Sequence, residues 1–238
     1  MNSVQLSLSA DVQERISGWL RIQERLGTPA GVKTRPTLTL SRQFGCEGFP
    51  VAERVQELFQ ASTGETWTVF DKTLIDTLTR EAGISRRVLE DLGDVTRALE
   101  AFGFHPRGAV TTEEAYAKMA LLITQVAKKG NAIVVGRGGA ILCQGLDNAF
   151  HFRLEAGFAW RVESLARRMG LSKREAAARV TTQSRLRDRF IRETLGHEVG
   201  DPLNYDAIFN NERHSVATIA QAIFAYVQAA WLERPADR

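Results

Sequence analysis

From Thr37 onward the chain switches repeatedly between short apolar runs and longer stretches of helical periodicity, and few folds accommodate that alternation. The strand-like runs are Thr37–Ser41, Trp67–Phe70, Asn131–Val135, Ala149–Leu154 and Tyr205–Phe209. Between and after them, apolar residues recur at helical spacing over Val51–Gln60, Thr73–Glu81, Glu113–Lys129, Ala159–Arg168, Lys173–Thr194 and Val216–Leu232. Capping-box patterns open two of these, Thr111–Glu114 and Ser172–Glu175. A strand that reaches the next strand through a helix must cross over, so the expected product is an α/β fold. Its five strands form a mostly parallel sheet with helices on both faces. Ligands of such sheets bind at the carboxyl ends of the strands, where loops meet helix N-termini. Chemistry is therefore expected just after Ser41, Phe70 and Val135.

The segment before Thr37 does not share this pattern. Ser9, Ala10 and Asp11 can cap a helix carrying Val12, Ile16, Trp19, Leu20 and Leu26 on roughly one face, and Gly27–Gly31 breaks it. Residues 1–36 thus read as an N-terminal helix and linker that packs on the domain or on a second subunit, a possible route to a homo-oligomer. Residues 37–238 form the main domain, whose length suits a single core. Its least regular part, Ile84–Arg107, is interrupted by Gly93, Gly103 and Pro106 and reads as an insert over a substrate pocket.

Several function classes drop out on composition. No apolar run approaches the roughly 18 residues needed to cross a bilayer, and the first residues have neither a basic leader nor an apolar core, so a cytoplasmic protein is expected. Two cysteines, Cys46 and Cys143, without CxxC spacing argue against a disulfide framework or zinc knuckle. The four histidines show no metal-ligand spacing, so no metal held by side chains is expected. A net charge of +3 is mild, and no RNP-like aromatic motif accompanies the basic residues, so nucleic acid is not an expected partner.

Four places carry candidate chemistry. In the turn Ser41–Pro50, Gly45 and Gly48 would let backbone amides approach phosphate oxygens, with Arg42 and Cys46 beside them. The same residues also read as a plain turn. In Gly136-Arg137-Gly138-Gly139, a cation leaves a strand end beside flexible backbone. That suits a bidentate grip on phosphate, or equally a tight turn with a solvated arginine. Asp71 ends a strand, where it can orient a nucleoside or cap the next helix. Arg185, Arg187, Arg189 and Arg192 crowd one helical stretch, either as an anion-binding lid over about 183–200 or as a solvated face.

In this order these elements resemble the cytidylate kinase-like family of nucleoside-monophosphate kinases. The resemblance covers about Thr37 to the end. It rests on Thr39–Gly45, Phe70–Ile75, Ile133–Gly138 and Asp201–Asn210. It implies a P-loop NTPase-type sheet, an acceptor region over about 71–110, and transfer of the ATP γ-phosphoryl group to CMP or dCMP with Mg²⁺. It further implies that Gly45 and Gly48 belong to the phosphate loop, that Asp71 lies near the acceptor, and that Arg137 holds the acceptor phosphate. Arg187 matches a lid arginine; Arg185, Arg189 and Arg192 only neighbour that match.

The phosphate loop departs from the family's GSGGR pattern, reading Gly45-Cys46-Glu47-Gly48-Phe49, with Pro50 where ordinary P-loops offer a hydroxyl to magnesium. Ser184 stands where these relatives typically carry an aspartate. A carboxylate about 5 Å from a phosphate charge costs about 3 kcal/mol at an effective dielectric of 20. A catalytically silent nucleotide or anion sensor is the alternative these changes motivate. The double substitution Glu47→Gly, Phe49→Arg is expected to raise ATP affinity or turnover, read by titration calorimetry and an ADP-release assay; no response in either would show that this loop does not meet the donor.

Overall fold

The computed structural model describes residues 35–81 and 112–233. The helix expected near the N-terminus, the insert at Ile84–Arg107 and the capping box beginning at Thr111 lie outside the described residues. Among the described residues the order is β1 (Thr37–Arg42), α1 (Gly48–Thr63), β2 (Thr68–Phe70), α2 (Lys72–Glu81), α3 (Thr112–Lys129), β3 (Ala132–Val135) and α4 (Gly139–Leu142). There follow β4 (Ala149–Glu155), α5 (Phe158–Met169), α6 (Lys173–Leu195), a 3₁₀ turn at Pro202–Asn204, β5 (Ala207–Asn210) and α7 (Val216–Glu233).

The five strands form one sheet in the order β2-β3-β1-β4-β5, every pair parallel. Leu40 is level with Val135 on one side and Phe152 on the other, so β1 is the central strand. Chain connections leave it in both directions, which opens a crevice at its carboxyl end. The α/β fold and its five parallel strands are as expected, with boundary shifts of a residue or two. The last strand begins at Ala207 rather than Tyr205, and α4 was not anticipated because a four-residue helix leaves no periodicity to read.

Period-two alternation divides the strands between two cores. Leu38, Leu40, Ile133, Val135, Phe150, Phe152 and Leu154 pack on α1 and α7 through Val51, Val55, Phe59, Ile219, Ile223 and Val227. On the other face Ala132, Val134 and Ala149 meet Met119, Leu122, Ile123 and Val126 of α3 and Leu74 and Ile75 of α2. A third, smaller cluster, Val162, Leu165, Ala176 and Val180, closes α5 on α6, with Phe44 packed against it. The expected capping box at α6 is present: Ser172 Oγ accepts from the Glu175 amide at 3.3 Å, and Glu175 Oε2 accepts from the Ser172 amide at 2.9 Å. Phe152, fully buried between Phe209 and Tyr226, anchors the first core. Phe152→Ala is expected to destabilise the domain by about 3–5 kcal/mol in a denaturant titration.

Candidate functional site: an arginine-lined cavity

A cavity of about 720 Å³ opens at the carboxyl end of the sheet, bounded by the ends of β1, β3 and β4, the turn into α4, and α6. Its lining includes Arg42, Arg137, Arg153, Arg161, Arg187, Arg192 and Lys72, against the carboxylates of Glu155, Asp188 and Glu198. An excess of cations facing one cleft is the electrostatic signature of an anion site.

Three of these guanidiniums define its character. Arg42 continues from β1 and runs between the two glycine turns: a Cβ on Gly48 would sit 3.1 Å from its Cδ, and one on Gly136 only 2.0 Å from its Nη1. Glycine at 136 is thus required by close approach, and also by a φ of +77°. Burial, then Arg187 and Arg137, hold the Arg42 guanidinium well below its ordinary range, with Asp71 opposing. Arg187 is lowered in the same way, first by burial and then by Arg137, and its guanidinium lies over the Phe44 ring at 4.7 Å. Arg137 leaves β3 with a φ of +56°, a left-handed conformation that costs a non-glycine residue about 1 kcal/mol. This turn aims it at Asp76, with which its Nη2 forms an ion pair, while its Nε is buried without a hydrogen-bond partner. Among the described residues no acceptor hydrogen-bonds Arg42 or Arg187. The three cations repel one another, and they are offset by Asp76 at Arg137, Asp71 toward Arg42 and Asp188 toward Arg187.

The glycine-rich turn after β1 is built differently from an open cradle. Gly45, at φ +104°, packs so tightly on α5 that a Cβ would lie 2.6 Å from the Arg161 Cβ. Arg161 Nη1 donates to the Phe44 carbonyl at 3.2 Å, and Arg168 Nη2 donates to the Gly45 carbonyl at 2.5 Å. Amides are also engaged: Gln43 donates to the Leu154 carbonyl, Cys46 to the Gln43 carbonyl, and Glu47 to Asn211 Oδ1 at 2.7 Å. The Glu47 carboxylate lies 3.9 Å from Arg167, so neither Arg42 nor Arg187 is its nearest cation. Burial pushes the Cys46 thiol up to about 11, which leaves it neutral.

Of the residues singled out in the sequence, Arg42, Arg137, Arg187 and Arg192 line the cavity, while Gly45, Cys46, Gly48 and Asp71 stand outside its lining. Asp71 Oδ1 accepts from the Leu74 amide at 2.9 Å and so caps α2, one of its two expected roles. Arg185 and Arg189 are exposed; Arg189 pairs with Glu193 at 3.8 Å, and Arg192 pairs with Glu198 at 2.8 Å at the rim. Sequence reasoning passed over Arg153 and Arg161. Arg153 is a buried charge in the middle of an apolar strand, and that contradiction was the available signal. Among the described residues no three His, Cys, Asp or Glu side chains gather as a metal site, and no helix is long and apolar enough to cross a membrane.

Residues 37–213 match the model of the cytidylate kinase-like family, about three quarters of the chain. The chain belongs to this family. Kinase-like nucleotide binding is accordingly its broad class, and the crevice at the switch point is where the fold puts such a ligand. No curated protein sequence matches the chain. Among solved structures, an uncharacterized protein from Eubacterium ventriosum is similar at 17% identity and a TM-score of 0.64, covering 82% of this chain and 99% of that one. A shikimate kinase from Bacteroides thetaiotaomicron shows 11% identity and a TM-score of 0.44, over 81% of this chain and 98% of its own. A gluconokinase from Sinorhizobium meliloti shows 12% and 0.44, over 86% and 100%.

If the arginines are held for an anion, removing one relieves the empty cavity and disables the filled one. Arg42→Met is expected to raise the unfolding midpoint of the ligand-free protein by about 2–4 °C per kcal/mol of repulsion removed. It is also expected to abolish the thermal stabilisation that pyrophosphate confers on the parent protein. Stabilisation of both proteins alike would remove Arg42 from the site.

Proposed function

We propose that this cytidylate kinase-like protein binds nucleotide phosphates in the arginine-lined cavity and transfers the ATP γ-phosphoryl group to a nucleoside monophosphate, CMP or dCMP. The observation that carries this reading is the set of Arg42, Arg137 and Arg187, three mutually repelling guanidiniums that line one space, of which Arg137 alone hydrogen-bonds a carboxylate among the described residues. Their repulsion is offset when an oligo-anion enters, and a transferring phosphoryl group is such an anion with its charge spread over equatorial oxygens. Arg137, pre-aimed by its strained turn and by Asp76, suits the acceptor phosphate. Arg187, on the helix that faces it, suits the charge that develops between donor and acceptor. Arg42 supplies a cation near the glycine turn, where Phe49 does not. Phosphoryl transfer asks little covalent chemistry of the protein, so positioning and fixed charge provide the rate.

ATP is expected to arrive with Mg²⁺, which neutralises phosphate charge and orients its oxygens. The described residues do not fit a magnesium ion held by the protein. Pro50 offers no hydroxyl, Glu47 leans toward Arg167, and Asp71 is engaged as a helix cap.

The tied loop favours a second reading, a nucleotide sensor without turnover, because Glu47 and Cys46 have already committed their amides to the protein. The two are separated by assay. The kinase reading expects ADP release that depends on CMP or dCMP, reduced about 10²–10³-fold in Arg137→Ala and in Arg187→Ala. Calorimetric binding of nucleotide with no turnover across the nucleoside monophosphates would select the sensor, and no binding at all would reject both.

A further inference from the structure

The last helix carries a surface that its packing on the sheet does not explain. α7 has no charged side chain from Val216 to Leu232, in a chain of which 25% is charged. Ile219, Ala220, Ile223 and Val227 account for one face, buried in the core with α1 and the sheet. The opposite face is exposed and equally uncharged. Thr218, Ala222, Ala225, Ala229 and Leu232 follow one another along it at helical spacing, with Tyr226 on their flank. Leu232 is 85% exposed and Tyr226 40%. α1 packs alongside, with the rings of Phe59 and Phe224 4.9 Å apart and Gln228 Nε2 donating to Ser62 Oγ at 3.3 Å. Its own exposed positions carry Glu53, Arg54 and Glu57, the ordinary arrangement for a surface helix. A helix without charge on any side is one with a neighbour on both faces.

We infer that the second neighbour is this chain's own N-terminal segment, residues 11–26, seated by its apolar face on the outer stripe of α7. The segment lies outside the described residues, and spacing, bulk and position select it. Val12, Ile16, Trp19 and Leu26 repeat the intervals of Thr218, Ala222, Ala225 and Leu232, while Glu14, Arg21, Glu24 and Arg25 fall on the other side of the same helical period. The segment offers large side chains where α7 offers small ones, so the ridges of one can enter the grooves of the other. A second copy of α7 would bring alanine against alanine and bury little apolar area. The chain also leaves the described fold at the right place. Arg35 pairs with Glu65, just past the end of α1, at 2.7 Å, and its carbonyl accepts from Asn148 Nδ2 at 2.7 Å. Asn148 is followed closely by Phe150, whose ring lies 6.2 Å from that of Trp231. Arg35 is therefore beside the C-terminal end of α7. Residues 27–34 reach about 28 Å when extended, and a helix over residues 11–26 measures about 24 Å against about 27 Å for α7. None of this depends on what the cavity binds.

Limited trypsin digestion of the full-length protein, with thermal melts of the same samples, tests the assignment. Trypsin cuts after Arg15, Arg21 and Arg25 wherever they are accessible. Those bonds are expected to be protected in the parent protein and cut about tenfold faster or more in Ala225→Glu, which puts a charge into the apolar contact. The unfolding midpoint is expected to fall by about 4 °C or more. Trp19→Ala, which alters neither the sheet nor α7, is expected to give the same rise in cleavage. The double variant Trp19→Ala, Ala225→Glu is expected to lose no more than the larger single change, the mark of one shared contact. Ala61→Glu, at an exposed position of α1, is the control and is expected to leave both readings unchanged. Equal cleavage in the parent and Ala225→Glu, or additive losses in the double variant, overturns the inference. So does a parent protein that sediments as a dimer and dissociates in Ala225→Glu, because the face then belongs to a second copy. Should Ala225→Glu fail to fold, Trp19→Ala decides alone: cleavage no faster than in the parent overturns the inference.

Discussion

Like charges at Arg42, Arg137 and Arg187 are forced into one space, and the rest of the structure can be understood as what keeps them there. Solvated arginines would drift apart. These are prevented from doing so by three separate devices: a glycine channel for Arg42, a left-handed turn for Arg137, and an aromatic ring beneath Arg187. Each device draws on the packed sheet, since β1 and β3 are neighbours in register and α6 is closed on α5 by its own apolar cluster. Folding free energy from burying side chains such as Phe152 and Phe59 thereby sustains an electrostatically unfavourable arrangement at the strand ends.

The fold was legible because alternating strand and helix periods leave few topologies open, and the apolar runs were long enough to state their period. The convergence of Arg137 and Arg187 was legible for a related reason. Strand ends collect at one edge of a parallel sheet, and the pair of helices after β4, α5 and the α6 that carries Arg187, departs from that edge. Other features were hidden by their own chemistry. Asp71 has the side chain for both a cap and a substrate contact, and only coordinates tell that its carboxylate accepts from the Leu74 amide. Gly45 and Gly48 fit a phosphate cradle in sequence. Their missing side chains also make room for Arg161 and for the stem of Arg42, and no local pattern encodes the approach of Gly45 to Arg161, more than a hundred residues away. Arg153 was passed over since its period matched its strand, although a guanidinium facing a core has to be explained by its partners. Ser41, Glu155 and Tyr205 are those partners, contributed by three separate parts of the chain.

Family membership and the altered loop pull in different directions, and the geometry gives each a physical meaning. The family match runs over residues 37–213, so it takes in the five strands, the turn at Arg137, the helix bearing Arg187 and the altered loop alike. The alteration concerns the segment between Gly45 and Pro50, where amides and carbonyls are bonded within the protein. In the proposed reading the acceptor side would be built on β3 and the donor side on β1, so the two halves of the site need not change together.

The grip of Arg161 and Arg168 on the carbonyls of Phe44 and Gly45 has a mechanical consequence. Those arginines belong to α5, α5 is sealed to α6, and Arg187 of α6 rests on the Phe44 ring. Loop and helical hairpin are therefore coupled at both ends, like a rocker on a single pivot rather than a flap above a fixed floor. A swing of the hairpin has to drag the turn after β1 with it, so opening the roof of the cavity also reshapes one of its walls.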